Sequence, residues 1–332
     1  MSGRWLALFV AMMLVTGAGY TWHARKRHAH AAVPVAPGPA ISLRTPGYLF
    51  FRNTTPGPDV GRVAAVPIDQ PNATRHVFDI SCDRFAVAAG TGLCVRMQPG
   101  VLPPMSDILI LDEDLRVVRQ RSLPGTVSRA QLSPDGKLAL WTLFVVGDDY
   151  SADTFSTRAG IWSLTTGEFT KSLEELPVTV DGKRYFASDV NYWGITFAAD
   201  ETHFYATLAS KGRTHLVQGD YRLYRGRALE ENVECPSLSP DGKRIAFKRR
   251  ESPDPGIWRL SVLDLATRTI TPLAETRSVD DQAAWLDDGT VMYALSRGNG
   301  ESDVWSTPAD GAGEARLLVA GANSPALMRS SR

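Results

Sequence analysis

Short apolar runs recur along the chain from Tyr48 onward, separated by clusters of Gly, Pro, Asp and Ser. LALWT after Lys137, RIAFK after Lys243 and VMYALS after Thr290 are examples. β-branched and aromatic residues fill these runs, and no long stretch with helical periodicity competes with them. The pattern predicts an all-β protein. Two of the runs are introduced by the same pentapeptide, Ser133-Pro134-Asp135-Gly136-Lys137 and Ser239-Pro240-Asp241-Gly242-Lys243. Pro presets the second position of a tight turn, Asp tolerates the third, and Gly supplies the positive φ that closes it. A turn repeated together with its flanking strands predicts an array of similar β units.

Aligning on the Asp of this turn adds further copies at Ala198-Ala199-Asp200-Glu201 and Leu286-Asp287-Asp288-Gly289, and a degenerate one at Ser81-Cys82-Asp83-Arg84. The spacing is roughly 40–50 residues, the period of a propeller blade. It lengthens once, where a polar insertion (147–158) and a charged stretch (174–184) intervene. Outer strands follow each turn, as in GIWSLTTGEFTKSL from Gly160 and RLSVLDLATRTITPL from Arg259. Near the C-terminus, Asn323-Ser324-Pro325-Ala326-Leu327 resembles the inner-strand segment Glu234-Cys235-Pro236-Ser237-Leu238. Near the N-terminus, Gly47–Arg52 reads as a second strand with no first strand before it. Residues 322–328 are therefore expected to supply the inner strand of the unit at 47–77. The prediction is a six-bladed β-propeller over residues 46–328, closed by the C-terminal strand, with residues 329–332 as a tail.

Residues 5–20 are uncharged and apolar and follow Arg4, so 1–31 reads as a signal peptide or membrane anchor. Ala29-His30-Ala31 suits cleavage. Arg25, Lys26 and Arg27 suit retention, and as an uncleaved span would favour a cytoplasmic C-terminal part. The expectation is an extracytoplasmic domain, with cleaved and anchored forms both open, joined by a Pro- and Ala-rich linker at 32–45. The 36 basic and 36 acidic side chains balance, which gives no pull toward nucleic acid. Cys82 and Cys94 flank a strand–turn–strand segment and are a disulfide candidate; two ordinary buried thiols are the other reading. Cys235 is left over.

The repeat at Gln131–Leu140 and Pro236–Phe247 resembles that of TolB-type propellers. Over residues 46–328 the chain is similar to exported TolB-like translocation proteins, with Ser188–Gly194, Asn232–Pro236 and Glu275–Gln282 carrying the likeness. The resemblance implies the fold and an envelope setting. Residues 22–45 are too short and Pro-rich for the α/β domain that precedes the propeller in TolB, so contacts made through that domain do not carry over.

No G-x-S-x-G elbow, H-E-x-x-H, P-loop or dinucleotide fingerprint occurs in the sequence. No cofactor or metal is called for. Counting back from each turn places His76, Ser128, Trp193, Glu234, Asp281 and Asn323 where the chain enters an inner strand. Arg129, Asp189, Asn191 and Asp280 lie beside them. The expectation is a mixed polar ring with an acidic sector at the channel mouth, suited to a peptide terminus, a basic side chain or a cation. A solvated mouth with no ligand reads the same way. The expected function is non-enzymatic binding of a protein or peptide partner in the cell envelope by a monomer, with membrane contact only through an uncleaved N-terminal segment. The alternatives are a lyase or hydrolase using Asp189, Glu234 and Asp281 as acid and base, or a structural or sensory domain. Five tryptophans, Trp141, Trp162, Trp258, Trp285 and Trp305, recur at comparable places and are expected between blades.

Overall fold

A computed structural model describes residues 41–145, 156–252 and 256–329. The apolar leader and most of the polar insertion (147–158) lie outside the described residues. The described chain is all strand and turn, arranged as six sheets that are antiparallel except for one strand pair in blade 4. Blade 1 consists of Tyr48–Asn53, Arg62–Pro67 and His76–Ser81, with Ala322–Leu327 as its inner strand. Blades 2 to 6 then follow in chain order, with inner strands Arg84–Ala88, Thr126–Leu132, Asn191–Phe197, Glu234–Leu238 and Ala284–Trp285. Each inner strand touches the next, and Ala322–Leu327 touches both Ala284–Trp285 and Arg84–Ala88. The ring is therefore closed.

Closure runs through the pairs Leu49 with Leu327, Phe50 with Ala326, and Arg52 with Asn323. The two chain ends thus share one sheet, and neither strand is left as a free inner edge. Arg75 clamps the join, donating to the Gly321 carbonyl at 2.9 Å, to the Ala320 carbonyl and to Asn53 Oδ1.

Burial follows position within each blade. The second strand of blade 3, Leu138–Val145, is buried along most of its length because neighbouring blades cover both of its faces. The outermost strand of blade 2, Val117–Pro124, is almost wholly exposed. Aromatic side chains fill the wedge between sheets: Trp141 stacks on Phe169 at 5.8 Å, and Trp162 meets the same ring edge-on at 5.5 Å. Trp285 of blade 6 donates its indole N–H to the Ser237 carbonyl of blade 5 at 2.9 Å. Trp258 and Trp305 are only partly buried, and each carries a cation over its ring, Lys248 at 4.0 Å and Arg277 at 3.9 Å.

The two SPDG turns are built identically. Gly136 N–H donates to the Ser133 carbonyl, Ser133 Oγ donates to Asp135, and Leu138 N–H donates back to Ser133 Oγ. Ser239, Asp241, Gly242 and Arg244 repeat each bond. Gly136 and Gly242 take φ of 73° and 72°, the left-handed region that glycine enters without steric cost. In blade 4 Glu201 occupies the same place at φ 55°.

Three expectations change. The segment Ser81–Arg84 is not a copy of the turn; it links the outer strand of blade 1 to the inner strand of blade 2. The true inner hairpin of blade 2 is the two-residue turn Ala89-Gly90, with φ of 48° and 81° between the paired Ala88 and Thr91. Residues 41–45, assigned by composition to the linker, belong to the domain: Leu43 is 0% exposed and its N–H donates to the Glu113 carbonyl. Finally, the stretch between blades 3 and 4 adds a hairpin, Val178–Val180 with Lys183–Tyr185, which pairs in parallel with the outer strand Arg225–Glu231. Blade 4 therefore has six strands rather than four.

Candidate functional site

The inner strands enclose an axial channel of about 740 Å³. Contacts between blades show that the strands run in the same sense. Arg84, at the start of its strand, meets Ser128, two residues into its strand, and Asp281, three residues before its own. At the opposite end, Asp241 N–H of one turn donates to Asp288 of the next. All strand beginnings thus gather at one mouth and the repeated turns at the other.

Local backbone shape sets what faces the first mouth. Inner strands of blades 1, 4 and 5 each carry a register shift at a residue with positive φ: Ser324 at 50°, Gly194 at 63° and Cys235 at 50°. A bulge of this kind bends the strand and re-aims the flanking side chains. Pro325 and Pro236 follow two of them, where the missing N–H removes one ladder donor. Gly194 is required twice over, because a Cβ there would also stand 2.6 Å from Cys235 Cα.

The mouth holds a charge cluster drawn from four blades. Arg84 donates from Nε to the Ser128 carbonyl at 2.8 Å and from Nη1 to Asp281 at 3.1 Å. Arg129 donates to its neighbour's carbonyl, Ser128 O, at 3.0 Å and reaches Asp280 at 3.5 Å. Lys248, only 4% exposed at its side chain, donates to Asp280 at 2.7 Å. Burial raises the Asp280 carboxyl, but Lys248, Arg129 and Arg84 outweigh it and hold it below the ordinary carboxylate range. Burial also pulls the Arg84 guanidinium down, against the opposing pull of Asp281. Three cations therefore share two carboxylates.

Of the residues expected in the ring, the structure brings some together and places others elsewhere. Ser128, Arg129, Asp280 and Asp281 come together. Glu234 sits at the start of its inner strand but is tied to Arg250 at 2.8 Å. Asn191 accepts from Thr157 N–H of the neighbouring blade at 2.6 Å, and Asp189 accepts from Ser210, on the second strand of blade 4, at 2.6 Å. Trp193 is 8% exposed and is not among the residues that line the channel. Asn323 lies on the closing strand, paired opposite Arg52. His76 is misplaced: the false turn at Ser81 put it in the ring, whereas it lies on the outer strand of blade 1, stacked on Phe78. Arg84 holds that position instead. Arg84, Lys248 and Arg250 were missed, the last two because they are on second strands and enter the mouth only through pairing of the sheet. The expected acidic sector is in fact neutralised by these cations.

Cys82 and Cys94 are bonded, with Cα atoms 5.4 Å apart, across the start of blade 2. Cys235 is a buried free thiol. Among the described residues no group of three or more His, Cys, Asp or Glu side chains is arranged to hold a metal ion.

No protein-family model matches the sequence. Among solved structures, the chain is similar to TolB from Acinetobacter baumannii, at 18% identity and a TM-score of 0.61, over 86% of this chain and 67% of that one. It is also similar to a putative TolB from Agrobacterium tumefaciens, at 11% identity and a TM-score of 0.50, over 83% and 90%. A chain of the nidogen/laminin complex aligns at 11% identity and a TM-score of 0.53, over 85% and 99%. At these identities the likeness concerns the fold. That fold is the six-bladed propeller of the TolB type, closed by its C-terminal strand.

Proposed function

We propose that this chain is a non-enzymatic, extracytoplasmic binding module that takes a protein or peptide partner at the channel mouth formed by Arg84, Arg129, Asp280 and Asp281. The observation that carries this reading is an axial channel of about 740 Å³, within the ~300–1,000 Å³ range of ligand sites, whose mouth gathers charged side chains from four blades, Lys248 and Asp281 buried and Asp280 open to solvent. An apolar N-terminal stretch and a disulfide support export, since such bonds persist in oxidising compartments. A chain of a protein–protein complex shares the fold. The carboxylates required by an acid–base mechanism are each engaged elsewhere: Asp189 with Ser210, Glu234 with Arg250, Asp281 with Arg84. The test is affinity capture from the envelope fraction with the wild-type chain and with Arg129→Gln, the captured protein being identified and its binding remeasured after purification. A partner bound through the mouth is lost or weakened by the substitution. Capture indifferent to this and to Arg84→Gln overturns the assignment, as does turnover of a peptide or glycan by the purified chain.

A further inference from the structure

Three buried polar atoms without protein partners belong to residues that line the channel. Arg129 Nε, Gln282 Oε1 and Ser324 Oγ are each buried and find no hydrogen-bond partner among the described residues. All three residues line the channel, together with Arg84, Asp281 and Ser237. Gln282 is held in place from its other end, where Nε2 donates to the Pro236 carbonyl at 2.9 Å. Its oxygen is therefore a positioned acceptor. A buried polar group left unmatched costs about 1–3 kcal/mol; others of this kind lie elsewhere in the molecule, but these three belong to residues that line the channel. Two of the flanking residues, Cys235 and Ser324, hold positive φ without being glycine, a strain that gathers at binding sites.

The charges select the ligand. Arg84, Arg129 and Lys248 are largely covered while the Asp280 side chain they face is 65% exposed; with Asp281 as the second carboxylate, one positive charge is left in excess at the opening. A monoanion neutralises that excess. A phosphate, near two negative charges at neutral pH, would overshoot it beside two carboxylates. Guanidinium groups match the planar geometry of a carboxylate. The donor at Arg129 suits the anion, while the acceptor at Gln282 suits an amide N–H next to it.

We infer that the mouth is a carboxylate seat: an acidic group of the partner peptide docks on Arg84 and Arg129, and its neighbouring amide N–H is taken by Gln282. This rests on the peptide-partner reading above and specifies its chemistry. The carboxylate comes from either a chain terminus or an Asp or Glu side chain.

The full chain is titrated with four probes by calorimetry and ligand-observed NMR: N-acetyl-Ala-Ala-Ala as free acid, its C-terminal amide, N-acetyl-Ala-Glu-Ala amide, and N-acetylalanine. The free acid is expected to bind about tenfold or more tightly than its amide, as a charge-assisted contact requires, and Arg129→Gln is expected to erase the difference. Preference for the Glu peptide over the free acid assigns the seat to a side chain; the reverse assigns it to a chain terminus. Equal binding of acid and amides, unchanged by Arg129→Gln, overturns the seat and leaves the peptide reading standing. Binding of N-acetylalanine alone, sensitive to Arg129→Gln, supports the seat and overturns the peptide reading. No binding of any probe at millimolar concentration overturns the seat. The comparison of acid with amide uses the unaltered chain, so a folding defect in the variant does not decide it.

Discussion

Replacing Asp281 with Asn removes the carboxylate that faces Arg84 at 3.1 Å from a position 8% exposed at its side chain. At that distance the Coulomb attraction is ~5 kcal/mol for an effective dielectric constant of ~20. Desolvation of both ions offsets part of it, and deleting one member of a buried pair costs about 3–5 kcal/mol. The local count then fixes an asymmetry. Without Asp281, three cations face Asp280 alone; without the Arg84 charge, Arg129 and Lys248 face two carboxylates and the cluster is neutral. Asp281→Asn is therefore expected to cost about 3 kcal/mol, Arg84→Met about 1–2 kcal/mol, and the double variant less than the sum of the two. Urea unfolding of the four proteins, with a common slope, measures each value. A larger loss for Arg84→Met than for Asp281→Asn would falsify the excess of positive charge on which the ligand assignment depends. Strict additivity would show that the pair does not interact.

Other consequences follow from particular contacts. Gly194→Ala adds a Cβ 2.6 Å from Cys235 Cα at φ 63° and should lower stability by about 1–3 kcal/mol, read from denaturant midpoints. Reduction of the Cys82–Cys94 bond, which spans 12 residues of sequence, should cost about 3 kcal/mol on loop entropy, seen as a lower melting temperature with reductant and absent in the Cys82→Ala/Cys94→Ala variant. Burial raises the Glu275 carboxyl, but Arg277 and the Tyr293 hydroxyl outweigh it and depress it below its ordinary 4.5. Its stabilisation is therefore complete above about pH 4.5 and is lost as pH falls through the lower folded value; Glu275→Gln should flatten that part of the stability–pH curve. Truncation before Ala322 removes the inner strand of blade 1 and should abolish the single cooperative unfolding transition, which circular dichroism and dye binding would report.

Much of the architecture was legible because a repeat announces itself. The identical bonding of Ser133–Leu138 and Ser239–Arg244 shows why: a turn that needs Pro, Asp and Gly at set places leaves a trace in the sequence. Ala89-Gly90 leaves a weaker trace, so blade 2 was framed on Asp83 and its first position was given to His76 rather than Arg84. Leu43 shows the opposite failure: one apolar residue in a Pro-rich stretch carries no periodicity, yet it is fully buried. At the mouth, Ser128, Arg129, Asp280 and Asp281 were found because they lie where the chain enters an inner strand. Lys248 and Arg250 were not, because a residue on a second strand reaches the same place only when that strand folds back antiparallel.

By itself the sequence determined the number of blades, the way the ring closes and the turns that mark its far end. These depend on backbone conformation and on short-range apolar pattern, which individual residues dictate locally. The sign of charge at the mouth was decided only by tertiary structure. Asp280 and Asp281 read as acidic along the chain, but Arg84 lies 197 residues from Asp281 and Lys248 lies 32 from Asp280. Coulomb energy depends on distance in space, and the closed ring sets those distances.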